Sequence, residues 1–257
     1  MELAQPDVLD GPSLEESISG GDLLQRLYSA RSILVTGVDP DDELLLRIAS
    51  TLGKPQLAHP LRARSPQSPH IKVQKAGEQT TYDASYWHAD RNYGVTLAKA
   101  TVIQCQRPPE AGGATEICDT ASSWAALAPD VRATLEDWVG IYNITAAATL
   151  PAERKYADRK ELARLKDFSE PVVISHPATL EHAISFAERY IEFDSEENDL
   201  HSERSRLDSL LAIVENGHAY AHSWATGDIL IWDNHATMHR GRPVLAGQKV
   251  THRIVVS

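Results

Sequence analysis

The sequence predicts a mainly β fold with flanking helices: a double-stranded β-helix (jelly-roll, cupin-like) core with helices packed outside it. Three observations carry that expectation. From about residue 71 the chain breaks into many short β-type runs separated by turn signals. Residues 21–53 read instead as helix, strand and helix, an α-rich flank. Strand and helix do not alternate regularly, which makes a parallel doubly wound sheet the weaker alternative.

Residues 1–20, rich in Asp, Glu, Pro, Ser and Gly, read as a loose N-terminal arm, and residues 21–257 as a single domain. DLLQRLYSA has apolar residues at helical spacing, and SILVTGV (32–38) is a buried strand. Asp39 and Pro40 suit a helix cap and first turn, and Gly53 a stop. IKVQ (71–74), SYWHADRNYGV (85–95), KATVIQCQ (99–106) and TEICD (115–119) read as strands, with RPPEAGG (107–113) a turn. A helix starts near Thr120, is interrupted at Pro129 and resumes as DVRATLEDW; VGIYNITAAAT (139–149) returns to strand. PAERKYADRKELARLKDFS (151–169) is charged and helical, with no obvious apolar face, and fits a solvated surface helix or an active-site lid. Strands at 171–176 and 183–193, the helix ERSRLDSLLAIVEN (203–216) and the strands HAYAHSW, ILIWD and VTHRIVVS complete the chain.

The chain has 257 residues, 42% hydrophobic and 24% charged, with a net charge of −11 from 25 Lys+Arg against 36 Asp+Glu. So acidic a chain repels phosphate backbones, which argues against nucleic acid as a partner. Cys105 and Cys118 form no CxxC pair, excluding a zinc ribbon or thioredoxin-like site, and read as reduced, partly buried thiols. The acidic start lacks an apolar signal region, and no apolar run approaches the ~18 residues that span a bilayer. The expectation is a cytoplasmic protein with a small-molecule substrate and no membrane partner; a homo-oligomer is compatible with it.

The chemistry concentrates in two places. In Trp87-His88-Ala89-Asp90, read as a strand, positions i and i+2 share a face, so an imidazole and a carboxylate stand side by side. That pair alone is weak, since a His and an Asp often meet only as a structural hydrogen bond. Near the C-terminus, WDNHATMHRGRP (232–243) ends a strand, turns and delivers His235 and His239. A second distant histidine completes two His and one carboxylate on one face of an ion. This facial set leaves about three positions open, as a bidentate 2-oxo acid plus dioxygen requires, and marks non-haem iron(II) oxygenases. Catalytic zinc uses the same residue types, so the triad alone does not name the metal.

WHAD (87–90), RPPEAGGATEICD (107–119), SHP (175–177), GDILIWDNHATMHRG (227–241) and HR (252–253) occur together and in order, and in this the chain resembles the TauD/TfdA family of iron(II)/2-oxoglutarate oxygenases. The stretch ILVTGVDPDDELLLRIASTLGKP resembles the family's opening, so the likeness runs from about residue 21 onward. The resemblance implies Fe(2+) as cofactor, held by His88, Asp90 and His239, with 2-oxoglutarate and O2 as co-substrates. It also implies Thr115 as a hydroxyl donor to the 2-oxoglutarate distal carboxylate, and a basic pair on the last strand. That pair reads Lys249 and Arg253 here, with lysine where the family commonly has arginine. Family position favours Lys249 for the co-substrate; the bidentate chemistry of a guanidinium favours Arg253, the assignment preferred from sequence. His70, Tyr86 and Tyr190 are substrate-pocket candidates, and His235 a turn residue beside the site. The implied reaction is decarboxylation of 2-oxoglutarate to succinate and CO2 coupled to oxidation, hydroxylation by default, of a small anionic or zwitterionic substrate. Two other readings stay open: a zinc-dependent hydrolase, and a non-catalytic cupin-like metal- or ligand-binding protein.

Overall fold

The structure, a computed structural model, describes residues 5–58, 63–77, 85–92, 96–142, 167–188, 191–193 and 200–257. The N-terminal part holds β1 (Asp7–Leu9), α1 (Gly11–Gly20), α2 (Leu23–Ala30), β2 (Ser32–Val35) and α3 (Asp42–Leu52). The middle holds β3 (Arg64–Ser65), β4 (Ser68–Gly77), β5 (Arg91–Asn92), β6 (Thr96–Leu97), β7 (Ala100–Arg107), β8 (Ala111–Gly112) and β9 (Thr115–Asp119). Then come α4 (Thr120–Ala125), α5 (Pro129–Glu136), β10 (Val139–Tyr142), β11 (Phe168–Pro171), β12 (Val173–Ser175), β13 (His182–Ile184) and β14 (Ile191–Phe193). The chain closes with α6 (Leu200–Glu215), β15 (His218–His222), β16 (Ile229–Asp233), β17 (Thr237–Gly241), β18 (Val244–Ala246) and β19 (Gln248–Val256).

Two sheets build the core, a larger one in the order β1-β2-β16-β7-β19-β4-β3 and a smaller one in the order β15-β9-β17. Side-chain alternation along each strand explains the layering. In β16, Ile229 and Ile231 turn outward to pack with Ile33, Val102 and Ile254 against Leu45, Ile48 and Leu52 of α3. Leu230 and Trp232 turn inward and meet Ile103 and Cys105 of β7, Ile117 of β9 and Trp224. β16 is therefore buried on both faces, which is why ILIW is a continuous apolar run. Beyond the smaller sheet a third cluster joins Cys118 and Met238 to Trp87, Trp124, Phe186, Leu210 and Val214. Each large apolar side chain so buried contributes about 1.5–3 kcal/mol.

Several sequence expectations need correcting. Residues 7–20 are no loose arm. β1 pairs in parallel with β2, the Asp10 side chain caps α1 by accepting from the Ser13 N–H, and Leu9 and Leu14 are buried in the core. Their polar neighbours diluted the pattern below what composition reveals. The cap of α3 is Asp41, accepting from the Glu43 N–H, not Asp39. Of the expected strand 85–95, the described residues 85–92 hold only Arg91–Asn92 as strand, and His88 makes a single bridge to His239. The run 183–193 is two strands, β13 and β14, and the end of the charged segment, Phe168–Ser169, is strand rather than helix because it pairs with β10. Residues 151–166 of that segment lie outside the described residues, as does Tyr190. Cys105 and Cys118 are buried free thiols, and burial, first among the causes, pushes their pKa up to about 11 and about 12. Among the described residues no helix is long and apolar enough to cross a membrane.

Candidate metal centre

His239 stands on β17, held by its ladder with β9 opposite Ile117, with Gly241 opposite Thr115. The segment 87–90 has no sheet partner of its own and is clamped to this strand instead. The His88 N–H donates to the His239 carbonyl at 3.0 Å and the His239 N–H donates back at 2.8 Å. This two-bond bridge sets the imidazoles side by side, ring centroids 4.3 Å apart. On either side, the Trp87 N–H donates to Glu188 Oε2 at 2.8 Å and the Asp90 N–H to Asn234 Oδ1 at 3.1 Å. Trp87 itself turns away into the core, its ring under the Arg240 guanidinium at 4.4 Å.

The clamp brings His88, Asp90 and His239 together, with one ligand-capable atom of each within 4.8 Å of the others. Asp90 Oδ1 lies 3.8 Å from His88 Nε2, and Oδ2 lies 3.7 Å from His239 Nε2. His88 Nδ1 sits 2.9 Å from the Tyr86 carbonyl, which can only accept; the ring proton is therefore on Nδ1, and Nε2 offers its lone pair. Burial, the largest influence, lowers the basicity of His88 against the opposing pull of Asp90. Burial and then the neighbouring His88 lower His239 much further. For Asp90 burial pushes upward, but Arg253, the two imidazoles and the Thr101 hydroxyl outweigh it and hold the carboxyl well below its ordinary range. Two neutral imidazoles and one ionised carboxylate are the donor set a divalent cation needs.

A second cluster, His176, Asp233 and His235, has similar composition and a different meaning. His176 Nδ1 accepts from the Ala178 and Thr179 N–H groups at 3.0 Å, so Nε2 carries the proton and donates to Asp233 Oδ2 at 2.8 Å. Both ring nitrogens are committed, and the pair reads as an anchor fixing the 176–181 loop to the end of β16. His235 is the turn residue expected from sequence, its N–H donating to Asp233 Oδ1.

The other expected residues divide into neighbourhoods. On β19 the alternation is as read: His252 faces outward to Asp42 of α3, while Lys249 and Arg253 face the interior. There they part. Arg253 pairs with Asp90 Oδ2. Lys249 Nζ donates to the Gly113 carbonyl at 2.6 Å and lies 5.8 Å from the Trp224 ring, whose Nε1–H donates to Thr115 Oγ1 at 3.1 Å. Gly113 has φ +70, in the left-handed region glycine favours, and a Cβ there would press on Pro109 and Val244. Tyr86 stacks near His88, ring centroids 4.6 Å apart. His70 lies on β4 with Nδ1 buried and without a hydrogen-bond partner among the described residues. Sequence reasoning missed Trp224, Thr101 and Lys72. Lys72 pairs across the ladder with Arg253, and its charge helps depress His88. Its parity with His70 was the available signal.

A family model described as taurine catabolism dioxygenase TauD, TfdA family matches residues 3–255. The chain belongs to the TauD/TfdA family. That family uses Fe(II) and 2-oxoglutarate with O2. Similar proteins include the alpha-ketoglutarate-dependent 2,4-dichlorophenoxyacetate dioxygenase of Cupriavidus pinatubonensis, 25% identical over 157 residues, 61% of this chain and 54% of that protein. The (S)-phenoxypropionate/alpha-ketoglutarate-dioxygenase of Sphingobium herbicidovorans is 27% identical over 162 residues, covering 61% and 56%. The chain thus spans about half the length of these curated relatives. A sulfate ester dioxygenase of Pseudomonas putida is 26% identical over 214 residues, covering 77% and 67%. The crystal structure of a taurine dioxygenase from Burkholderia xenovorans has the same fold, with TM-score 0.74 at 16% identity over 100% of this chain and 88% of that one. The expected jelly-roll class is borne out, although the described sheets do not close into a barrel.

Proposed function

We propose that this chain is an iron(II)- and 2-oxoglutarate-dependent oxygenase that hydroxylates a small anionic substrate in the cytoplasm, with His88, Asp90 and His239 as the iron ligands. The observation that carries the reading is the buried donor set itself: neutral nitrogens from two elements and an ionised carboxylate, all within reach of one ion. When bound, iron(II) with 2-oxoglutarate and O2 supplies the oxidant, as 2-oxoglutarate loses CO2 and becomes succinate. The residues of this chain prepare the site for it. Tyr86 fixes the His88 tautomer through its carbonyl. Because Trp224 donates to Thr115 Oγ1, the Thr115 hydroxyl proton is left to donate elsewhere; with the Lys249 ammonium beside it, a carboxylate finds two donors. This supports Lys249 with Thr115 as the anchor for the distal carboxylate of 2-oxoglutarate, in place of the Arg253 assignment preferred from sequence. Arg253, Lys72 and His70 line up across β19 and β4 on the metal side and suit an anionic substrate. Relatives named for phenoxy acids and sulfate esters accord with that class. The two reduced, buried cysteines accord with the cytoplasm.

The test is a panel of small carboxylates, sulfonates and sulfate esters scored by succinate release under air with iron(II). Substrate-stimulated succinate is expected from at least one anion. A protein that turns over a substrate without consuming 2-oxoglutarate, or on zinc alone, is not this enzyme.

A further inference from the structure

Thr101 is a polar residue near the start of β7, fully buried among apolar neighbours. A hydroxyl so placed costs stability unless hydrogen-bonded, and its partners form a closed ring. Asn234 Oδ1 lies 3.1 Å from the Asp90 N–H and 3.1 Å from the Trp232 Nε1–H. Both are donors, so the oxygen of the amide faces them and Nδ2 faces the other way, 3.1 Å from Thr101 Oγ1. An amide NH2 only donates, so Thr101 Oγ1 accepts there and its one proton is left for Asp90 Oδ2, at 2.6 Å. The ring runs from the Asp90 backbone through Asn234 and Thr101 back to the Asp90 carboxylate, and every donor in it is determined. Its anchor is firm: the Asn234 N–H donates to the Lys99 carbonyl, tying the turn after β16 to the start of β7.

Resting on the metal-site reading above, we propose that Thr101 and Asn234 are positioning residues that orient the Asp90 carboxylate for the cation. The Thr101 proton occupies one side of Oδ2 in a short, charge-assisted bond, and the Asn234 amide sets the backbone from which the carboxylate springs. The carboxylate plane is thereby fixed with its oxygens toward the two Nε2 atoms. A ligand held in this way does not have to be ordered when the ion arrives.

The experiment titrates the metal-free protein with Co(II) alone, without 2-oxoglutarate, following affinity and the visible d–d spectrum. Thr101→Val keeps the shape and removes the donor; it should weaken Co(II) binding roughly 10- to 100-fold and change the spectrum, because a carboxylate left to the Arg253 pair alone can adopt another ligation mode. Thr101→Ser restores the hydroxyl and should restore both. Should Thr101→Val not fold, Thr101→Ala against Thr101→Ser makes the same comparison. Wild-type Co(II) affinity and spectrum in the folded Val or Ala variant overturn the positioning role. His239→Ala separates the two levels: it should lose Co(II) binding whatever Thr101 does. Unaltered Co(II) binding in His239→Ala overturns the site reading itself, and this inference with it.

Discussion

Lys249 and Arg253 stand four residues apart on one face of β19, yet the interior gives them different company. Their shared orientation was legible, because strand alternation fixes it. Their different partners were not. Those depend on the Gly112-Gly113 turn, which brings a carbonyl to Lys249, and on Trp224, which arrives from the end of another strand. The proposed anchor makes a specific prediction. Without substrate, Lys249→Ala should raise the 2-oxoglutarate dissociation constant roughly 30- to 1000-fold, as for loss of a charge-assisted pair in a pocket. Arg253→Ala should raise it much less. A large loss confined to Arg253→Ala would restore the assignment preferred from sequence. The clustering of His88, Asp90 and His239 was legible from motif and spacing; the placing of Thr101 was not, because it closes a ring of residues from three separate stretches.

Elements differed in how plainly they announced themselves. TEICD and ILIWD coincide with β9 and β16; in β16 a central strand shows its burial as the apolar run ILIW. β17 escaped notice because TMHRG is mostly polar: its strand pattern is not marked by an apolar run. The WHAD segment was expected to present its ligands through strand geometry. The same pair comes together by another route, clamped by His239, Glu188 and Asn234 without a ladder. The loop 176–181 is held in a comparable way by the His176–Asp233 pair, in which neither side chain is more than 1% exposed. His176→Ala leaves the Asp233 carboxylate buried without its side-chain donor and should cost about 3 kcal/mol by urea unfolding. A cost under about 1 kcal/mol would mean that water replaces the imidazole and that the anchor is dispensable.

Taken together, the buried histidines couple the stability of the whole chain to pH. His88, His239, His222 and His235 are each held below the ordinary value of 6.5, burial being the first cause in every case. Unfolded, they take up protons as pH falls through about 6.5; folded, they do so only at lower pH. The unfolded state therefore binds more protons, and the metal-free protein loses stability on acidification in that window. The buried Glu170 carboxyl, raised by burial, acts in the opposite sense, one group against four. The urea midpoint should drop between about pH 7.5 and about pH 5.5, and an unchanged or rising midpoint would contradict the neutral-imidazole account. Whether His88, Asp90 and His239 hold iron(II) for 2-oxoglutarate, as proposed, is read most directly by anaerobic absorption spectroscopy. Adding 2-oxoglutarate to the ferrous protein should produce a weak visible charge-transfer band that is absent from His88→Ala, Asp90→Ala and His239→Ala. No band in the wild-type protein, or an undiminished band in any of the three variants, would contradict it.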